Sequence, residues 1–515
     1  MSRTAPYGNY AHAVLTNNAV RAPDDIALVY RGRSYSFDAL NRRVNRTANA
    51  LLALGVRPKQ RVASLLGEAL HIAETYFAEA KIGAVIAAFN PYWAPDMVVE
   101  MARRSRIDWL VLDAQNAGIA PLIRAELPDV RILAIGTAIE GAASLDAAME
   151  NAGDSEPPLG AFFDEPMGFF YTSGTTGQSK AVVQSHASCI MMSSVLMEVK
   201  RAPDAVWGSG PIIWGSGFPC TIGAAFYVGR NVALEDDLGP AKLLEAVQRE
   251  RISHITMIPS QWADILANHP HADYDLSSLS VILLGGEPIS PTLFSRLMER
   301  LPGLSLYSFY GQSEGPYNCV NTITEAHLAA TSGRARIGQA VRTVGANGER
   351  VVGQPGEILM TGPNLFSGYD GQPEKTAEVL RDGWFHTGDL GIMDESGRLT
   401  VLGRKEDAIQ RGGHYLRPVE IEDMAGTIEG VAEAGVAGTP AGAAEQKIIL
   451  ALAPAPGAAL DEASVRERLA GMLPAVAMPD LIVIAKTLPH GNDASGGRGK
   501  LLRREIRALY EGRLA

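Results

Sequence analysis

Apolar residues recur at helical spacing over 38–55, where leucines, valines and alanines return every three or four positions until Gly55 stops the run. Beyond it, Arg61-Val62-Ala63-Ser64-Leu65-Leu66 has the nearly unbroken apolar texture of a buried strand. The order repeats. An alanine-rich helical run over 70–82 precedes Ala84-Val85-Ile86-Ala87-Ala88-Phe89, and a helix near 241–251 precedes His254-Ile255-Thr256-Met257-Ile258. A further strand, Val281-Ile282-Leu283-Leu284, is closed by Gly285-Gly286. Such alternation predicts α/β layers. Past about residue 340 short strands separated by turns such as Ala346-Asn347-Gly348 and Glu395-Ser396-Gly397 predict a β-rich subdomain. The texture changes again near 405, with a helix over 419–428, short apolar runs at 448–452 and 481–484, a Pro/Ala/Gly stretch at 453–459 and a basic C-terminal helix. The expected fold is therefore α/β. A large N-terminal domain (1–404) holds layered α/β subdomains and the β-rich subdomain, and a small α+β C-terminal domain follows (405–515).

Composition narrows the class. A chain of 515 residues exceeds one ordinary core, in keeping with two domains. With 46% hydrophobic and 20% charged residues, and no run of eighteen uninterrupted apolar positions, neither disorder nor a membrane span is expected. The formal charge of -11 provides no basic footprint for nucleic acid, although a local basic pocket for phosphates remains open. Cys189, Cys220 and Cys319 are too scattered for a disulfide framework or a zinc site, and the start, Met-Ser-Arg-Thr-Ala-Pro, lacks an apolar core. A cytoplasmic setting is the expectation.

The first chemistry-bearing segment is Tyr171-Thr172-Ser173-Gly174-Thr175-Thr176-Gly177-Gln178-Ser179-Lys180, which follows the apolar pair Phe169-Phe170. Its glycines let backbone N–H groups turn toward an anion, its hydroxyls add donors or reach a metal, and Lys180 brings a compact charge. The glycine spacing and the lack of Ser or Thr after the lysine set it apart from a Walker A loop. A flexible Ser/Thr/Gly surface turn has the same composition.

This segment, with Ser185-His186 beyond it, resembles the phosphate-loop motif of the adenylate-forming superfamily of acyl- and aryl-CoA ligases, peptide-synthetase adenylation domains and luciferases. The usual glycine after the lysine is Ala181 here. Four more segments are similar to that family's motifs, in the same order. Tyr310-Gly311-Gln312-Ser313-Glu314 resembles YGxTE, whose aromatic ring stacks on adenine and whose glutamate holds magnesium, a role that suits a hard carboxylate oxygen. Trp384-Phe385-His386-Thr387-Gly388-Asp389 is similar to WxxTGD, whose aspartate accepts from both ribose hydroxyls. Gly403-Arg404-Lys405-Glu406-Asp407 looks like the GRxxD hinge, with Arg404 toward the nucleotide and Glu406 at the pivot. Gly496-Gly497-Arg498-Gly499-Lys500 resembles the ending that carries a mobile catalytic lysine, placed to neutralise charge between the attacking carboxylate and the α-phosphorus. Taken alone, each segment has an ordinary structural alternative: a helix cap, a hairpin turn, a charge cluster or a surface lysine.

The resemblance implies an ATP- and Mg²⁺-dependent ligase that first forms an acyl-adenylate. Lys500 and Glu314 are then the catalytic residues, and Glu314 with Thr176 the metal ligands. Thr172, Ser173, Gly174, Thr175, Thr176, Gly177, Lys180, the Gly286-Glu287-Pro288 turn, Tyr310, Gly311, Gln312, Ser313, Asp389 and Arg404 bind ATP and AMP. Acid selectivity is expected of Trp214, Gly215, Ser216 and Phe218, an apolar slot for a compact alicyclic, aromatic or short-to-medium acid. In the second step the small domain rotates about Glu406, and Gly412 and Gly413 line the acceptor channel. Coenzyme A is the expected co-substrate. Gln410, where many relatives carry lysine, and the unusual 490–499 segment keep an amine or amino acid open as acceptor, with a carrier protein as a third. A nucleotide-binding sensor without turnover is disfavoured by the retained Glu314, Asp389, Arg404 and Lys500.

Overall fold

The computed structural model describes residues 8–172, 180–199, 206–208, 217–237, 239–269, 273–405, 407–440, 446–492 and 498–514. The first helix of the sequence reading forms as Phe37–Leu54. Ser36 accepts from the Ala39 amide at its start, and Gly55 closes it in the left-handed region at φ 105°, where its amide reaches the Leu51 and Leu52 carbonyls. Leu40, Val44, Ala48 and Leu51 are buried along one face, as their spacing requires.

The next helix, Ala69–Ile82, is covered on nearly every side and nevertheless carries charge. Such groups are tolerated by pairing or by neutralisation, because an unpaired charge would be costly to bury, and burial pushes the Glu79 carboxyl well above the usual carboxylate range, toward its neutral form. Arg43 pairs with Glu74, Ser64 donates to Glu79 over 3.1 Å, and the fully buried Lys81 ammonium meets Glu156 at 2.8 Å and Asn45 at 2.6 Å.

Two sheets with parallel centres form the large domain. One runs Gly368–Tyr369, Lys180–Ser185, Pro166–Thr172, Val85–Ala88, Arg61–Leu65, Trp109–Leu112, Arg131–Ala134, Ala143–Ser144. The other runs from Arg334–Ala335 through Gly315–Ile323, Ser305–Gln312, Val281–Gly285, His254–Met257, Val206–Gly208 and Asn231–Leu234 to Ile26–Tyr30 and Arg33–Ser36. Antiparallel pairs at one end of each sheet carry motif segments, whereas the parallel middles are core. Beyond residue 340 the strands form an antiparallel third sheet, centred on Pro355–Thr361, Trp384–Met393 and Leu399–Arg404, as the turn-rich texture predicts.

The small domain holds the hairpin Ile409–Arg411/His414–Leu416, the helix Pro418–Gly426, a three-stranded sheet (Val431–Gly438, Ile448–Pro454, Leu481–Ile484) and the helix Arg503–Tyr510. It touches the large domain where Thr292 donates to Asp423 over 3.0 Å. Among the described residues no helix is long and apolar enough to cross a membrane.

Candidate active site

Two antiparallel strands flank the phosphate segment. Pro166–Thr172 and Lys180–Ser185 pair antiparallel in a register that sets Thr172 opposite Lys180. Phe169 and Phe170, on opposite faces, are both buried and anchor the first strand. Ser173, Gly174, Thr175, Thr176 and Gly177 lie outside the described residues, as does the side chain of Thr172. The Lys180 ammonium stands over the Tyr369 ring, 4.8 Å from its centroid.

His186, just beyond, proves structural. Ser185 accepts from the Ser188 amide and caps the helix His186–Ser193, while the His186 Nδ1 accepts from the Tyr10 amide at 3.1 Å. Complete burial pushes its imidazole down to about 4, so it stays neutral.

The second motif ends the strand Ser305–Gln312. A Cβ on Gly311 would lie 2.5 Å from the Tyr317 nitrogen and 2.6 Å from the Gly315 carbonyl oxygen, so only glycine fits this bulge. Tyr310 donates its hydroxyl to Asp389 Oδ2 at 2.7 Å, and Gln312 Nε2 donates to the same oxygen at 2.7 Å and to the Thr387 carbonyl at 3.0 Å. Burial, reinforced by the Asp389 charge, pushes ionisation of the Tyr310 hydroxyl well up, which keeps it a donor.

Asp389 owes its pose to the third motif. Gly388 turns at φ 69°, the Asp389 amide donates to Thr387 Oγ1 at 3.0 Å, and that hydroxyl donates to the Ile358 carbonyl. Strand register then sets Asp389 opposite Arg404, whose Nε meets Asp389 Oδ1 at 3.1 Å. Asp389 is thus buried at the meeting point of three sequence motifs. Arg404 is its partly exposed side, with 41% of that side chain open.

Glu314, 8% exposed, accepts at Oε1 from the Tyr369 hydroxyl over 2.7 Å. Its other oxygen has no hydrogen-bond donor among the described residues. A hard oxygen left open in this way is of the kind that suits Mg²⁺. The Ser313 carbonyl accepts from Gln184 Nε2 at 2.7 Å, which locks the motif to the phosphate hairpin.

The remaining expected residues are dispersed. Gly286 turns at φ 83° after Val281–Gly285, and the Glu287 carboxylate, ahead of the exposed Pro288, accepts from the Ser260 amide at the start of a neighbouring helix. Phe218 is 1% exposed and packs against Phe77, Tyr76 and Tyr10 with centroids 4.7 to 5.9 Å apart, which makes it part of the aromatic core. Trp214, Gly215, Ser216 and Glu406 lie outside the described residues. Gly412 and Gly413, at φ 57° and 76°, form the exposed two-residue turn of the small-domain hairpin, a conformation that calls for glycine on its own account. Lys500 stands on the strand Arg498–Leu501 paired with His490–Asn492, and its side chain lies outside the described residues.

Sequence reasoning passed over Tyr369 and Gln184. Tyr369 sits on the two-residue strand Gly368–Tyr369, too short for any periodicity. The one signal was the Gly368-Tyr369 pair, just after Leu365-Phe366 in a glycine-rich loop.

A phosphate hairpin, a buried aspartate shared by tyrosine, glutamine and arginine, and a half-open glutamate define a nucleotide-dependent α/β enzyme with a small C-terminal domain. The chain belongs to the AMP-binding enzyme family: that family's model matches residues 15–370, and the model of the AMP-binding enzyme C-terminal domain matches 420–496. It is 32% identical over 507 residues to a feruloyl-CoA synthase of an Amycolatopsis species, covering 95% of this chain and 96% of that protein. The crystal structure of ATP-bound MatB from Rhodopseudomonas palustris superposes with a TM-score of 0.86 at 25% identity, over 98% of this chain and 99% of that one. The amide bond synthetase McbA from Marinactinospora thermotolerans shares the fold, with a TM-score of 0.84 at 23% identity over 97% and 99% of the two chains.

Proposed function

We propose that this protein is an ATP-dependent acid–thiol ligase, acting on an aromatic or similarly compact carboxylic acid with coenzyme A as acceptor. The observation that carries the reading is the Asp389 hub, where residues from three motifs meet beside a half-open Glu314. In the first step the substrate carboxylate attacks the α-phosphorus of ATP, an acyl–phosphate bond forms and pyrophosphate leaves. In the second the coenzyme A thiol attacks the acyl carbon, and AMP departs as the thioester forms. No protein nucleophile is needed, because positioning and charge carry the chemistry.

Tyr310 and Gln312 grip Asp389 from its buried side, so the ribose diol approaches from the Arg404 side and shares or displaces that contact. Glu314, with Thr176, would hold Mg²⁺, which when bound neutralises phosphate charge. Lys180 and the 172–177 segment hold the phosphates, and the 286–288 turn contributes to ATP and AMP binding. Trp214, Gly215 and Ser216 shape the acid slot. Lys500 serves adenylation, and rotation about Glu406 at the 404/405 boundary brings Gly412 and Gly413 to the acceptor path. The buried free cysteines suit a reducing cytoplasm.

Coenzyme A is preferred as acceptor because the feruloyl-CoA synthase is similar to this chain over nearly its whole length. The fold alone does not choose the acceptor, since an amide bond synthetase shares it. Mass analysis of the products from ATP, a panel of aromatic acids and coenzyme A, repeated with amines, tests the reading. A thioester supports it. Formation of an amide alone, or transfer to a carrier protein alone, would replace the acceptor, and no pyrophosphate release with any acid would remove the enzyme class.

A further inference from the structure

The segment at 366–370 is a strap between two motifs that are over a hundred residues apart in sequence. The Phe366 amide donates to the Glu314 carbonyl at 2.8 Å, while the Ser367 and Asp370 amides donate to the Val183 and Ala181 carbonyls of the phosphate-hairpin strand at 2.8 and 3.0 Å. The strap is itself pinned. Tyr369 N donates to Thr376 Oγ1, and a side chain on Gly368, at φ 142°, would lie 2.9 Å from the Thr376 methyl. These bonds hold the backbone on both sides of Tyr369. Its hydroxyl donates to Glu314 Oε1, its ring lies under the Lys180 ammonium, and the residue is 6% exposed.

We propose that Tyr369 is a positioning residue that fixes the Glu314 carboxylate by its hydroxyl and the Lys180 ammonium by its ring, setting the metal-binding oxygen and the phosphate-binding cation in one register. With Oε1 occupied by the Tyr369 hydroxyl, the free oxygen of Glu314 is the one left to meet a divalent cation. The ring accounts for Lys180 by a cation–π contact, which orients the ammonium without neutralising it, as a carboxylate partner would. This inference rests on the proposed nucleotide chemistry and deepens it.

The test uses the full chain and Mn²⁺ as a spectroscopic stand-in for Mg²⁺, titrated by electron paramagnetic resonance with α,β-methylene-ATP present. Tyr369→Phe keeps the ring and loses the hydroxyl, whereas Tyr369→Leu loses both. Tyr369→Phe is expected to weaken Mn²⁺ binding about tenfold while keeping metal-free nucleotide affinity within about twofold of the parent, and Tyr369→Leu to weaken both. Mn²⁺ affinity of Tyr369→Phe equal to the parent overturns the proposal, as does an equal fall in thermal midpoint for both variants with metal affinity intact. A parent that binds Mn²⁺ and nucleotide but turns over no acid defeats the ligase reading and leaves this comparison standing.

Discussion

Tyr310 and Asp389, 79 positions apart, meet through a 2.7 Å hydrogen bond that joins the second sheet to the antiparallel third sheet. The bond holds the carboxylate from behind and leaves its Arg404 side for a ligand. Tyr310→Phe keeps the ring and removes the donor, so KM for ATP in pyrophosphate exchange should rise roughly tenfold with kcat little changed. Asp389→Asn also strips Arg404 of its ion pair and should cost more, roughly a hundredfold in kcat/KM. Equal effects of the two variants would refute the view of Asp389 as the hub.

Lys500→Ala should split the two half-reactions. If the lysine neutralises charge only during attack on phosphorus, adenylation falls by roughly a hundredfold or more, while thioester formation from a supplied acyl-adenylate changes little. Stopped-flow measurement of each half-reaction checks this. Equal losses in both would defeat the two-conformation model.

How much of this could be read from the chain follows from the kind of signal each part leaves. The helix Phe37–Leu54 was legible because its burial repeats with the helical period, whereas the helix Ala69–Ile82 and the strand Arg61–Leu65 between them, covered on nearly every side, were legible as apolar runs of helix and strand length. The motif strings were legible as local patterns, yet the pairing of Asp389 with Tyr310 and of Glu314 with Tyr369 depends on sheet register across distant segments, which leaves no local trace. Phe218 shows the limit from the other side. It was expected in an apolar acid slot with Trp214, whereas the aromatic rings of Tyr10, Tyr76 and Phe77 enclose it. Gly412 and Gly413 carry the same ambiguity, because a turn with positive φ at both positions selects glycine whatever passes nearby.

His186 makes the stability of the large domain sensitive to acid. Its folded value of about 4 lies below the ordinary 6.5, so the unfolded chain takes up the proton first. The stabilisation is full above about 6.5 and is lost as the pH falls toward 4, on the order of 3 kcal/mol in all. His186→Asn keeps an acceptor for the Tyr10 amide and cannot titrate, so its denaturant midpoint should fall less steeply over that window. Parallel curves for parent and variant would show that another group governs the acid limb.

Gly311 offers the sharpest separation between backbone strain and steric conflict. Gly303 adopts φ 88° with nothing within 4 Å of the point where an added methyl group would sit, so Gly303→Ala should cost about 1 kcal/mol from conformation alone. At Gly311 the same methyl group meets the Tyr317 nitrogen and the Gly315 carbonyl, both backbone atoms on the strand that returns from Glu314. Relief requires that strand to move, and Glu314 and Tyr310 move with it. Gly311→Ala should therefore lose about 2 kcal/mol or more by urea denaturation and, unlike Gly303→Ala, also lose ATP affinity by isothermal titration. If Gly311→Ala matched Gly303→Ala in both measurements, the bulge would not be what aims Tyr310 and Glu314 at the nucleotide.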